Sequence, residues 1–150
     1  MSRPAGRRRR GRELALRVLF ELEGTEKDAG DALAYQAAEL AAPADTIRFA
    51  RALVEGSLEH IDRIDAAIGE ASLHWDLVDF GKVERAVLRL GTYEVLFEAS
   101  TPVAVSIDES LELTRVYAGE DAVPLVNGVL GRIAREEGVR RAGRRPARHP

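Results

Sequence analysis

The sequence predicts an all-α protein, a compact seven-helix bundle made of two small helical halves. Three observations carry this reading. Apolar residues recur three and four apart along most of the 150 residues, which is the period of an amphipathic helix. Ala, Leu, Glu and Arg recur while β-branched runs stay short, a composition that favours helix over strand. The stretches between periodic segments are brief, so successive helices should pack as antiparallel neighbours.

Residues 1–6 hold Pro4 and Gly6 without an apolar pattern and read as a disordered tail. A first helix is expected over about 8–23 on the stripe Leu14, Val18, Leu19 and Leu22, stopped by Gly24 and Thr25. A weaker, Ala-rich helix covers about 31–41, and Pro43 interrupts it. Asp45 reads as the N-cap of the third helix, whose stripe is Ile47, Ala50, Val54, Leu58 and Ile61. A bend near His60 leads into the fourth, which starts near Asp62, carries Ile64, Ile68 and Ala71, and ends before Trp75, a core or edge anchor. The polar stretch 76–81 is the expected division between the two halves.

The fifth helix, over about 82–98, is the clearest. Val83, Val87, Leu90, Tyr93 and Phe97 face one way, and Arg85, Arg89 and Glu98 face elsewhere. Thr101-Pro102 opens a sixth with Ile107, Leu111 and Thr114 inward, and Gly119 breaks it. A seventh, over about 122–137, buries Val126, Val129, Leu130 and Ile133, and Gly138 closes it. Within it Asn127-Gly128 runs against helix propensity. The expected reason is structural: Gly128 for close helix packing, Asn127 for a bond to a neighbouring backbone. Residues 139–150, with Pro146 and Pro150, read as a flexible Arg-rich tail. The domain is thus expected over 7–138.

The net charge of −3 hides an asymmetry. Residues 1–12 hold six arginines and no acid, residues 139–150 hold five and no acid, and the body between carries all 25 acidic residues. Basic ends on an acidic body suit two partners, a polyanion at the arms and something basic on the body. There is no Cys, which excludes a disulfide scaffold, a thiol nucleophile and Cys-based metal sites. No apolar run reaches a membrane span. The apolar stretch after the basic N-terminus is short, carries Arg17 and lacks a following cleavage site. The expectation is a cytoplasmic protein without a membrane partner.

A search for chemistry finds an arm and no catalytic constellation. Arg7, Arg8, Arg9, Arg10 and Arg12 sit at the mouth of the first helix, where guanidinium groups pair with phosphate and stack on bases. A solvated tail is the plainer alternative, and it weighs more heavily for the C-terminal cluster. Arg85 and Arg89 share a helical face, for surface ion pairs or for RNA; Arg89 is placed with the RNA-binding set. Asp76, Asp79 and Glu84 form an acidic group without a His or Ser to complete a catalytic site, so they read as an exposed face or as a dock for a basic protein. His60, His74 and His149 have no metal-ligand spacing. Neither a P-loop nor a nucleophile elbow is present. No enzyme activity, metal or cofactor is expected.

Several stretches together resemble the NusB family of bacterial transcription antitermination factors. They are Arg7-Arg8-Arg9-Arg10-Gly11-Arg12-Glu13 running into Leu14-Ala15-Leu16, Val83-Glu84-Arg85-Ala86-Val87-Leu88-Arg89-Leu90 with Tyr93-Glu94, Pro102-Val103 with Ile107-Asp108-Glu109-Ser110, and Val126-Asn127-Gly128-Val129-Leu130. The last two, in this order and spacing, are the most specific, and the resemblance spans about 7–135. It implies an all-helical protein of two small bundles, without a cofactor. It also implies binding to the boxA element of ribosomal RNA leader transcripts together with a small-subunit ribosomal protein, NusE, and thereby an indirect link to the RNA polymerase antitermination complex. By that resemblance Arg7, Arg8, Arg9, Arg10 and Arg12 serve RNA binding, as do Asp121 and Leu125 before the Val-Asn-Gly segment. Family members often carry an aromatic where this chain has Leu125. Phe20 and Glu84 fall on the NusE-binding face.

Three rivals stand beside this reading. NusB-like domains occur fused to rRNA cytosine methyltransferases, but that activity needs a cofactor-binding α/β domain and a Cys that this chain lacks. Helices six and seven allow a helix-turn-helix, though Ala122-Val123-Pro124-Leu125-Val126 is too apolar to line a groove. A protein-interaction module with solubilising tails is the third. A homodimer stays open, since an apolar helix face left over from the core would serve one.

Overall fold

The computed structural model describes residues 6–73 and 77–144, apart from the side chains of Val78 and Arg144. The expected tail at 1–5, His74, Trp75, Asp76 and residues 145–150 lie outside the described residues. Among the described residues there are seven α-helices and no strand: α1 (Arg7–Leu22), α2 (Ala29–Glu39), α3 (Ala44–Glu59), α4 (Ile61–Ala71), α5 (Lys82–Phe97), α6 (Val103–Tyr117) and α7 (Val123–Arg144). Short 3₁₀ turns at Leu77–Asp79 and Glu120–Ala122 lead into α5 and α7.

One core runs through both halves. Leu14, Val18, Leu53, Ile64, Leu88, Leu90 and Leu130 are among its fully buried side chains. Their spacing puts one apolar face of each helix inward, and that burial supplies the main driving force. Helix α1 packs on α2 and α3, while α5, α6 and α7 pack on one another. The division between the halves departs from the sequence expectation. Helix α4 packs on α5 and α7 and scarcely touches α3, so the chain changes halves at the His60 bend, not at 76–81. Helices α1 and α3 both lie against α5, which joins the halves.

Local departures have physical reasons. Asp28 is the N-cap of α2, its carboxylate accepting from the Asp31 N–H at 3.0 Å. Asp45 is not the N-cap of α3. Pro43 holds that position in extended backbone, and Asp45 lies in the first turn, ion-paired to Arg7. Leu58 and Phe97, expected inward, are each more than a third exposed. On α6 the fully buried face is Ser106, Ser110, Leu113 and Thr114, whereas Ile107 and Leu111 are only partly buried. Two of its hydroxyls donate backwards, Ser110 to the Ser106 carbonyl and Thr114 to that of Ser110, at 2.9 and 2.8 Å, while the Ser106 hydroxyl is buried with no partner among the described residues. Helix α7 does not close at Gly138. Glu137 pairs with Arg140 and Arg141 at i+3 and i+4, and Arg141 donates to the Leu96 carbonyl at 3.2 Å, so the helix continues to Arg144. Asn127 and Gly128 are exposed, and a Cβ on Gly128 would meet nothing within 4 Å. Close packing is therefore not the reason for that glycine.

Candidate nucleic-acid and protein interfaces

The arginine run forms the first turns of α1, where helical periodicity sends alternate members to different places. Arg7, Arg8, Arg9 and Arg10 are exposed. Arg7 pairs with Asp45 on α3. Arg9 makes a fork-on-fork contact to Glu109 on α6, with Nε and Nη2 each 3.1 Å from a carboxylate oxygen. Arg8 donates to Thr101 Oγ1 at 3.4 Å. Arg10 makes no ion pair among the described residues.

Arg12 departs from the sequence expectation. It points inward, 3% exposed, and Nε donates to both oxygens of Glu94 on α5 at 2.9 and 3.0 Å. Glu94 is itself 1% exposed. Burial pushes its carboxyl above the usual carboxylate range, and the Arg12 guanidinium pulls it partly back. One turn apart, Arg8 and Arg12 straddle the Phe49 ring, their guanidinium carbons 5.8 and 5.7 Å from its centroid. Gly11 makes this possible, because a Cβ there would collide with that ring. Arg12 is therefore a bracket beneath the arm and is taken out of the contact surface.

Arg89 also lies apart from the arm. Its Nε and Nη2 donate to the two oxygens of Asp65 on α4 at 2.9 and 3.1 Å. Arg85 reaches Glu23 and the Phe80 carbonyl. The ion-pair alternative for these two residues is the one realised.

Asp121 is exposed in the turn before α7, and Leu125 is half-buried against the core. The arm reaches Thr101, just before α6, and Glu109, midway along it, whereas these two residues follow its far end. At about 1.5 Å per residue α6 separates them by roughly 20 Å from Thr101 and roughly 12 Å from Glu109.

At the C-terminal end of α1 lies a different surface. Phe20 is 38% exposed, with the Lys82 ammonium 4.3 Å from its ring centroid. Beside it an open groove of about 250 Å³ is lined by Leu16, Arg17, Phe20, Gln36, Val83 and Tyr117. Arg17 Nε donates to the Tyr117 hydroxyl at 3.1 Å, across from α1 to α6. That bond holds the guanidinium further above its ordinary value, while burial pushes the Tyr117 phenol up. Glu84 is half-buried and folds back over Gly81. Asp79 is exposed in the turn before α5. The structure thus brings Phe20 and the start of α5 together through Lys82 and Val83. The groove and the Arg17–Tyr117 bond had no sequence signal, because they need α1 and α6 in register.

No helix among the described residues is long and apolar enough to cross a membrane. A NusB family model matches residues 9–135. The transcription antitermination protein NusB of Desulforamulus reducens is 41% identical over 126 residues, covering 84% of this chain and 88% of its own length. A solved structure of antitermination factors NusB and NusE in complex with dsRNA has a TM-score of 0.80 at 30% identity, covering 87% of this chain and 97% of that one. A solved structure of T. maritima NusB has a TM-score of 0.79 at 36% identity, covering 91% and 94%. The chain belongs to the NusB family, the family of transcription antitermination proteins.

Proposed function

We propose, with membership of the NusB family as the premise, that this chain acts in the cytoplasm by binding and not by catalysis, holding boxA-type RNA at the α1 arm and a NusE-type ribosomal protein at the Phe20 groove. One observation carries the RNA half: four exposed arginines stand on a single helical start, braced from beneath by the buried Arg12–Glu94 pair. A braced cationic surface meets phosphates without first ordering a tail. RNA leaving the arm has α6 as its guide toward Asp121 and Leu125. Leu125 offers an apolar contact in place of an aromatic stack. The groove, with Glu84 and Asp79 beside it, suits a cationic partner carrying an apolar anchor. The link to RNA polymerase runs through this RNA–protein pair.

The test is fluorescence anisotropy of a labelled boxA-type RNA against a scrambled one, with and without the ribosomal partner. We expect selective binding that the partner strengthens. Replacing Arg8, Arg9 and Arg10 by Ala should weaken it and flatten the log–log salt dependence by about 0.7 for each phosphate no longer held. An unchanged slope would remove the arm from the interface. Equal weak binding to both RNAs, indifferent to the partner, would leave a protein-interaction module.

A further inference from the structure

One C-terminal arginine and one arginine of the N-terminal arm each touch a single corner, the stretch from Leu96 to Thr101 at the end of α5. At the end of α5 the Leu96 carbonyl accepts from Arg141 at 3.2 Å, and five residues later Thr101 Oγ1 accepts from Arg8 at 3.4 Å. A five-residue separation holds the two Cα atoms within about 18 Å of each other. Around Arg141 the charge is unbalanced. Glu137, 16% exposed, is shared by Arg63, Arg140 and Arg141 at 3.7, 3.4 and 3.2 Å, and Glu70 and Glu136 line the same surface. With Arg132 and Arg135 on the same turns, five arginines stand against these three carboxylates and leave a net cation at the end of α7. Next to Leu96 in sequence, Phe97 belongs to an aromatic cluster with His60 and Tyr93. His60 stacks on Phe97 with centroids 4.0 Å apart and planes 13° apart, and Tyr93 follows at 5.8 Å from Phe97. Phe97 is 37% exposed. Of the acids near Tyr93, Glu94 is paired with Arg12, Glu98 is tied to the Ser100 N–H and hydroxyl at 3.1 and 2.6 Å, and Glu59 is exposed.

We propose that this corner is a second RNA-contact site, at which Arg63, Arg140 and Arg141 hold the phosphates of a single strand leaving the arm while the Phe97–His60 stack receives a base. Arginines beside an exposed aromatic ring are the combination that binds unpaired strands. A protein partner with an acidic surface would leave the exposed Phe97 ring without a role. The inference rests on the RNA-binding reading above, and its test separates the two.

The experiment compares the RNA used above with the same RNA lengthened by about ten uridines at either end, within the site sizes that single-strand grooves cover. For Arg140→Ala/Arg141→Ala we expect a weaker grip on one lengthened RNA, with its salt slope flatter by about 1.4, two phosphates at about 0.7 each. The loss on the short RNA should be smaller. Arg63→Ala, on α4 and outside the last turns of α7, should weaken the same lengthened RNA, with a slope flatter by about 0.7. Helical circular dichroism checks that both variants fold. If neither variant changes the affinity or slope for either lengthened RNA, while the Arg8/Arg9/Arg10 variant loses both, the corner carries no RNA and the inference falls alone. If the arm variant binds as the wild type does, the RNA-binding reading falls, and the inference with it.

Discussion

At its N-terminus α1 offers four exposed arginines above a buried ion pair; at its C-terminus it offers Phe20 beside an apolar groove. The two ends are positioned by different means. The arm end is fixed by polar groups taken out of water, Arg12 and Glu94, with Phe49 laid against Gly11. The groove end is fixed by apolar packing and by partly exposed polar contacts, Arg17 to Tyr117, Gln36 to Glu21 and Arg85 to Glu23. A buried ion pair does not stabilise much for its desolvation, but it specifies direction, and direction is what a cationic arm needs. The groove end needs shape, and dispersion contacts set shape without specific polar geometry.

The comparison breaks most sharply at Arg12. Arg12→Ala leaves Glu94 buried without its counter-charge and should cost about 3–5 kcal/mol of folding stability. Replacing both, as Arg12→Met with Glu94→Leu, should restore most of it. Urea denaturation midpoints check both, and a double variant as unstable as the single would mean that the pair does more than orient α1.

At the other end the expected effect is on binding. Glu84→Arg should weaken the ribosomal partner by about tenfold or more, through like-charge contact with a basic protein, and should affect RNA alone less. Titration calorimetry with each partner separates the two, and equal losses would take Glu84 off the docking face.

The smallest effects are in proton binding. Glu94 should titrate above the usual carboxylate range because of burial, and Asp45 below it because Arg7 hydrogen-bonds its ionised form. The signs oppose. The raised Glu94 favours the folded state below its unfolded value and loses that contribution as pH rises through the folded one. Asp45 contributes above its unfolded value and loses it as pH falls through the depressed one. Carboxyl-carbon NMR resolves each, and Glu94 titrating below Asp45 would reverse the ranking of burial and pairing.

The helices were legible because their apolar stripes repeat at the helical period, as in Val83, Val87 and Leu90. What escaped the sequence was everything decided between helices. Arg12 reads like its four neighbours in the run, and only the rotation of α1 against α5 turns it inward. Arg89 reads in the sequence as an ion pair or as an RNA contact, and only α4, by bringing Asp65 to it, decides between them. Gly138 looked like a stop, yet the ladder from Glu137 to Arg141 and the Leu96 carbonyl carry the helix past it. The buried side of α6 is written in Ser and Thr, residues that an apolar stripe passes over. The arm and the Phe20–Glu84 face were legible as residues, not as surfaces.

The carboxylates that hold Arg7 and Arg9 have a consequence for how a strand would arrive. Asp45 and Glu109 occupy donors that phosphates would otherwise use, and they hold two guanidiniums against α3 and α6. A ligand therefore exchanges with an occupant and does not recruit loose side chains. Exchange lowers the depth of the final well, because each new pairing replaces an old one. It also lowers the ordering cost of reaching that well. The arm is built like a latch held by a weak spring: quick to engage, quick to let go, and suited to a factor that must board a moving transcript and later leave it.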